Sequence, residues 1–263
     1  MAELERALFR GTLPQTPPAD FTRLYFGAEF CFWRLPAQKE ILQALSWARQ
    51  SGWDFTLVTP VLGEAEMLLL DRLLAPVLPE LAAGDEVLIS DWGALEVVRS
   101  HRDDLPVILG RALSGQKRGP RILGMELTTE QEDYFSQGSW YNRFAVEILT
   151  EQRIVRVEQD NLLQGLAPLP EPLTGSLHWP SAMVTSSRNC PFRDVEQNHP
   201  CPAPCGELFS LQADDTDIML YQDGNTQFLC NEQLPENLPA LRIDRLVWHP
   251  EHAVCFDNAG SGC

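Results

Sequence analysis

The sequence predicts an α/β fold, a TIM-like (β/α) barrel or partial barrel that carries a small β-rich C-terminal extension. Before residue 187, short apolar runs alternate with helical stretches of about 10 to 15 residues, a pattern typical of βαβ units and a parallel sheet. About six or seven such strands can be counted. A succession of parallel strands with right-handed crossovers either stays open or closes into a barrel.

The predicted barrel strands are the short apolar runs before residue 187, namely Leu24–Phe26, Phe55–Val58, Val87–Ile89, Val107–Leu109, Ile122–Leu127 and Ala182–Thr185. Helices are predicted over about residues 37–50, from near Glu64 to the interruption at Pro76 and Pro79, and after the strand Val87–Ile89 through Val97. Residues 1–20 are expected to form a short amphipathic start and a Pro-rich tether.

After Cys205 the pattern is typical of an antiparallel meander. Its strands are predicted at Leu208–Gln212, Ile218–Tyr221 and Thr226–Leu229, with Asp223–Gly224–Asn225 as a turn. The chain is therefore divided into a barrel-like domain, residues 1–206, and a β-rich extension packed on it, residues 207–263.

Composition excludes several classes of protein. Of 263 residues, 44% are hydrophobic and 22% charged, which is globular composition and not that of a disordered chain. The net charge of −17 argues against general nucleic-acid binding, because phosphate backbones repel an acidic surface. The N-terminus lacks the long apolar segment of a secretory signal, and no apolar run is long enough to span a membrane. We therefore expect a cytoplasmic protein, in which clustered cysteines indicate metal rather than disulfides.

The strongest chemical signal is the segment NCPFRDVEQNHPCPAPCG, which places Cys190, Cys201 and Cys205 in a C-x10-C-x3-C pattern. This polar, Pro-rich loop follows a predicted strand, and loops at the carboxyl ends of parallel strands carry the sites of such folds. Cys31 follows the strand Leu24–Phe26 and is predicted to reach the same rim. Four thiolates suit a tetrahedral metal or a cubane cluster.

Other interpretations of the cysteines stay open at this stage. Zinc is the second one, although the ten-residue gap and the remote fourth cysteine are unlike a compact zinc knuckle. His199 is a further potential ligand, and Cys230 a potential substitute for Cys31. The cysteines could also be small buried hydrophobic residues with no metal between them.

The motifs YFGAEFC at Tyr25–Cys31, SDWG at Ser90–Gly93 and the three-cysteine loop resemble the U-thirty-two family of collagenase-like peptidases, closest to its accessory branch in anaerobic ubiquinone biosynthesis. The resemblance covers roughly residues 24–250. It implies a [4Fe-4S] cluster on Cys31, Cys190, Cys201 and Cys205, and a heterodimer with a second family member. It also implies oxygen-independent hydroxylation of a quinone precursor or an RNA base, with prephenate as an oxygen donor.

A second cluster, GRALSGQKRGPR at Gly110–Arg121, concentrates four of the chain's 20 cations in one glycine-containing loop. Arg111, Lys117 and Arg118 are candidate substrate-binding residues, since Arg and Lys at a strand end can bind a carboxylate or phosphate. A small anion such as prephenate would suit them. The loop is not a P-loop, because Gln116 stands where that motif needs Lys. A solvated basic loop is the alternative.

Peptidase activity, the function that the family label suggests, has little support in the residues themselves. The chain contains neither HExxH nor GxSxG. No His–Asp pair is placed by sequence to activate Ser186 or Ser187. An iron–sulfur hydroxylation component, a zinc-stabilised binding module and a peptidase are the three functions that the sequence leaves open.

Overall fold

The computed structural model describes residues 4–193, 200–214 and 216–252. Eight parallel strands close into a barrel, which confirms the predicted α/β barrel. Seven of the strands follow one another in the chain, and the eighth, β12, comes after four further strands and pairs with both β7 and β1. The barrel strands are β1 Glu5–Arg10, β2 Arg23–Gly27, β3 Asp54–Val58, β4 Glu86–Ile89, β5 Val107–Leu109, β6 Arg156–Asp160, β7 Thr174–Trp179 and β12 Ile243–Trp248.

Five α-helices occupy the connections between β2 and β6: α1 Gln38–Gln50, α2 Glu64–Leu74, α3 Trp92–His101, α4 Thr129–Phe135 and α5 Arg143–Glu151. Local chemistry sets their ends. Asp91 caps α3 by accepting from the Gly93 N–H at 2.8 Å, and α2 ends two residues before Pro76, as predicted. Within the described ranges, no helix has both the length and the apolarity that crossing a bilayer requires.

Two apolar layers hold the barrel together. The larger layer lies between the strands and the helices, where α1 buries one face through Ile41, Ala44, Leu45 and Ala48. The smaller layer fills the barrel interior with Tyr25, Val58, Leu88, Ile108 and Val247. Strand residues alternate between the two layers, as the period of a strand requires.

A four-stranded antiparallel sheet follows β7, in the order β8, β11, β10, β9. Its strands are β8 Ser181–Ser186, β9 Phe209–Ala213, β10 Thr216–Asp223 and β11 Thr226–Cys230. The predicted meander is therefore present. The division at residues 206 and 207 is different from the observed one, because β8 belongs to the sheet and β12 to the barrel. The sheet is an insertion between β7 and β12 and not a terminal domain.

Three of the predicted barrel elements are wrong. Ala182–Thr185, expected as a barrel strand, lies in β8 of the antiparallel sheet. Glu5–Arg10, expected in an amphipathic start before a tether, is the barrel strand β1 between β12 and β2. Ile122–Leu127, expected as a strand, begins inside a 3-10 turn over Pro120–Gly124. Gly119 precedes that turn with φ 117°, and Pro120 lacks the N–H that a sheet ladder needs, so the apolar run follows a turn and not a strand.

Candidate functional site

The carboxyl ends of the barrel strands surround a cavity of about 320 Å³, which we call the mouth cavity. Segments after β1, β2, β5 and β12 meet the β10–β11 turn around it. Its walls include Phe9, Gly27, Glu29, Phe30, Cys31, Arg34, Arg111, Asp223, Asn225, Phe228, His249, Glu251 and His252. This is the end of a parallel barrel at which ligand sites are found.

A second cavity of about 130 Å³, the cysteine cavity, lies beside the first. All four cysteines that the sequence analysis selected line it, namely Cys31, Cys190, Cys201 and Cys205, and all four are free and half-buried. Phe30, Cys31, Arg34 and Asn225 line both cavities. The structure thus brings the two distant cysteine-bearing segments to one rim, next to the barrel mouth.

The tight β10–β11 turn positions the segments around the cysteine cavity. The Asn225 amide donates to the carbonyl oxygens of Phe30 at 2.8 Å and Ser187 at 3.0 Å, which joins the segment after β2 to the segment before Cys190. Gly224 has φ 56°, and a Cβ there would lie 3.3 Å from Arg34 Nη1 and 3.7 Å from Cys205 Sγ. Glycine is therefore the residue that fits this turn.

The walls of the cysteine cavity carry positive charge. Arg34, Arg188 and Arg193 line it together with the four thiols and one carboxylate, that of Glu66. Burial raises the pKa of the Cys31 thiol, while the backbone N–H groups of Trp33 and Arg34 oppose that rise. Burial opposes the charge of Arg34, but Asp223, Cys205 and Cys31 outweigh it and raise the pKa of the guanidinium. Cations of this kind favour the thiolate form that metal ligation needs.

The four thiols that line the cysteine cavity are the donor type that both an iron–sulfur cluster and a structural zinc ion take in proteins. Within residues 4–193, 200–214 and 216–252, no three His, Cys, Asp or Glu side chains form a close-set group ready to hold a metal ion. The cavity therefore supplies a suitable set of donors, and which metal it takes stays a prediction.

Two other potential ligands were predicted from the sequence. His199 falls outside the described residues. Cys230 ends β11 and pairs with Ser181 at the start of β8, whereas Thr226 at the other end of β11 pairs with Ser186 beside the cysteine-bearing loop. The position of Cys230 along β11 therefore separates it from the cysteine cavity.

The basic-loop residues separate into two groups. Arg111 is buried in the mouth wall, where it binds both oxygens of Glu29 and, through Nη1 at 2.9 Å, Asp160. Arg118 Nε binds the other Asp160 oxygen at 2.8 Å. Lys117 donates to the Gln137 carbonyl at 3.0 Å and lies over the Tyr134 ring. Arg111 and Arg118 thus already have carboxylate partners, and an anion site at this loop stays a prediction.

A row of buried polar side chains, absent from the sequence analysis, leads from the barrel interior to the mouth cavity. His178 Nε2 lies 2.7 Å from Glu158 Oε2, and His178 Nδ1 lies 2.7 Å from His249 Nε2. His252 stacks on His249 with ring centroids 5.4 Å apart, and its Nδ1 lies 2.6 Å from Ser181 Oγ. These residues come from β6, β7, the start of β8 and the segment after β12, and only the tertiary fold brings them together.

Fold and site together define a closed α/β barrel with an inserted antiparallel sheet and a cysteine-lined cavity at its mouth. No family model, no curated protein and no solved structure matches the chain. The inference of function therefore depends on the geometry described above and on the resemblance noted from the sequence.

Proposed function

We propose that the protein is an iron–sulfur component of oxygen-independent hydroxylation. Cys31, Cys190, Cys201 and Cys205 would hold a [4Fe-4S] cluster. The single observation that supports this most is the convergence of these four free thiols on one cavity of about 130 Å³. The cluster, when bound, supplies one-electron redox chemistry. The arginines of the cavity wall offset the negative charge of four thiolates.

The assignment to hydroxylation rests on the family resemblance. In this proposal the substrate is a quinone precursor or an RNA base, and the protein works in the cytoplasm as a heterodimer with a second family member. A small anion such as prephenate would bind near Arg111, Lys117 and Arg118. Lys117 is the cation of that group that no carboxylate of the described residues binds in an ion pair, so the anion would depend on it most.

The first test is anaerobic purification followed by iron and sulfide analysis. We expect a brown protein with about four iron and about four sulfide ions per chain, and a loss of both in the Cys190→Ala variant. Cys263→Ala is the matched control, because Cys263 is a cysteine outside the proposed ligand set. It should keep the full content.

Three outcomes contradict the proposal. A colourless protein with one tightly held zinc ion would identify a zinc-stabilised module. Cleavage of a denatured protein substrate that survives complete removal of metal would identify a peptidase. Equal iron content in the Cys190→Ala and Cys263→Ala variants would show that the iron binds elsewhere.

A further inference from the structure

The hydrogen bonds from Glu158 to His249 run in one direction. Glu158 is fully buried, and burial raises the pKa of its carboxyl. The opposing effect of His178, Arg245 and Arg156 is larger, so the pKa lies below its usual value. An ionised carboxylate only accepts, so the proton between Glu158 and His178 lies on His178 Nε2. With one N–H on each imidazole, His178 Nδ1 then accepts from His249 Nε2, and His249 Nδ1 keeps its lone pair.

The imidazole of His249 lines the mouth cavity. Its side chain is held between the Phe9 ring, 4.7 Å away and nearly parallel, and the His252 ring. Within the described part of the chain, the ring's one hydrogen bond is the bond to His178. A residue that is 5% exposed, lines a cavity and keeps an acceptor nitrogen is ready to receive an O–H from a ligand.

The other walls of the mouth cavity select against anions, and Lys117 and Arg118, the other two cations of the proposed anion site, do not line it. Three carboxylates line it, from Glu29, Asp223 and Glu251, against two guanidiniums, from Arg34 and Arg111. Each guanidinium is bound to a carboxylate, Arg34 to Asp223 at 2.5 Å and Arg111 to Glu29 and Asp160. The rings of Phe9, Phe30 and Phe228 supply flat apolar walls. At about 320 Å³ the cavity is at the lower end of the range for small-molecule sites.

We propose that the mouth cavity binds an uncharged hydroxylated aromatic molecule, and that His249, His178 and Glu158 form a proton relay for its hydroxyl group. The ligand O–H gives its proton to His249 Nδ1, and His249 gives its Nε2 proton to His178 Nδ1. The products are a ligand oxyanion, a neutral His249 and a His178 imidazolium beside the Glu158 carboxylate, so the net charge of the site is unchanged, whereas a ligand that enters as an anion would add a negative charge. Glu158 orients His178 and stabilises its charge without taking the proton.

The relay places the positive charge where the surroundings favour it. Burial and the neighbouring Arg111, His178 and His252 lower the pKa of His249 well below 6.5, so His249 passes a proton on rather than keeping it. His178 has the Glu158 carboxylate at 2.7 Å, which stabilises an imidazolium. The inference stands on these contacts and requires no cluster at the cysteines, so it can fail or succeed independently of the proposed function.

Nitrogen-15 NMR of histidine-labelled full-length protein tests the direction of the hydrogen bonds without any substitution. At neutral pH we expect His249 to carry its proton on Nε2, with Nδ1 unprotonated and shifted by added phenol. His101, an exposed histidine of α3 that binds Asp71, should not respond to phenol. A proton on His249 Nδ1 in the free protein, or no response to phenol, would overturn the proposal.

Binding of three matched probes tests the site. Phenol carries the O–H donor, toluene has a similar shape without it, and benzoate carries a negative charge. We expect phenol to bind about five- to tenfold more tightly than toluene, and benzoate to bind most weakly. His249→Phe should abolish the preference for phenol over toluene, while His101→Phe keeps it. A preference that survives in His249→Phe, or benzoate as the tightest probe, would refute the assignment.

The role of His178 as a positioning residue needs its own measurement. In His178→Phe, His249 Nε2 has no acceptor, so we expect NMR to detect a mixture of both His249 tautomers. The preference for phenol over toluene should fall with it. An unchanged His249 tautomer in a folded His178→Phe variant would show that the row is structural only.

Discussion

At the scale of single residues, the most consequential charge is Asp160, at the end of β6. It is fully buried and binds Arg111, Arg118 and the Met183 backbone N–H at 2.8 to 2.9 Å. Burial opposes its charge, but Arg118, Arg111 and that N–H outweigh burial and lower the pKa of the carboxyl. One carboxylate therefore joins β5, β6 and β8 behind the mouth cavity.

Replacing Asp160 with Asn should destabilise the protein by about 3 to 5 kcal/mol at neutral pH, because in a buried place Arg118 loses its carboxylate partner and Arg111 loses one of its two. Urea unfolding measures the free energy. Asp104→Asn is the control, since Asp104 also binds an arginine through both oxygens but is fully exposed. We expect little change there. Equal losses in the two variants would contradict the role of burial.

The same lowered pKa sets the pH dependence of stability. A folded-state pKa below the unfolded value of about 3.9 means that Asp160 stabilises the fold above that pH. The contribution disappears as the pH falls from about 4 through the folded-state value. We expect the difference between the protein and Asp160→Asn to shrink over this acid range in urea unfolding. A difference that stays constant down to pH 2 would contradict the assignment.

The sequence predicted that Cys31, Cys190, Cys201 and Cys205 would meet at one rim, but it indicated none of the histidines that line the mouth cavity. Three cysteines lie within sixteen residues of one another, which is a visible pattern. His178 and His249 are 71 residues apart on different barrel strands or their ends, and their pairing follows from β7 lying beside β12. A strand register of this kind has no signature in one sequence.

At the scale of elements, glycines stand at the ends of the neighbouring barrel strands β1 and β2, and only the one in β2 has no room for a side chain. Gly27 ends β2 with φ 144°, and a Cβ there would lie 2.1 Å from the Val58 carbonyl oxygen of β3. Gly11 follows β1, and a Cβ there would meet nothing within 4 Å. The close approach of β2 and β3 at the mouth therefore depends on the missing side chain of Gly27.

Gly27→Ala should lower stability by roughly 1 to 3 kcal/mol or more, since it adds a strained conformation and forces β2 away from β3. Gly11→Ala is the matched control and should be close to neutral. Thermal unfolding of the two variants measures the contrast. Similar melting temperatures for both would show that β2 and β3 tolerate separation at this point.

The strands that the sequence predicted correctly are those with apolar side chains on both faces, β2 to β5. The missed strands β6, β7 and β12 carry Glu158, Asp160, His178 and Arg245 among their buried residues. Charged residues in a strand obscure the apolar run that identifies a buried strand. Besides β1, the sequence analysis therefore missed three of the strands that carry buried charge, whereas Arg23 of β2 and Glu86 of β4 stand at the edges of apolar runs that were predicted.

At the scale of the whole molecule, a net charge of −17 surrounds an interior in which buried charges are paired. Repulsion between surface carboxylates opposes the compact state, and salt screens it, because the Debye length falls from about 10 Å at 0.1 M to about 3 Å at 1 M. Buried pairs such as Arg111–Glu29 are screened much less.

We therefore expect the melting temperature at neutral pH to rise by a few degrees when NaCl increases from about 0.02 to about 0.5 M. Choline chloride at equal concentration should give the same rise, because screening depends on ionic strength and not on sodium. A melting temperature that falls with either salt would show that exposed ion pairs outweigh the general repulsion.

The sheet inserted between β7 and β12 brings the side chain of Asn225 between the two cysteine-bearing segments. Both hydrogens of the Asn225 amide are used, one on the strand-end segment that precedes Cys31 and one on the segment that precedes Cys190. An aspartate at this position has no N–H to donate to the two carbonyl oxygens, and a serine has one O–H and so could bind only one of them. The Asn225 carboxamide thus helps to set the distance between the thiols of Cys31 and Cys190, which are 159 positions apart in the chain. A substitution at Asn225 would remove both of the hydrogen bonds that hold these two segments.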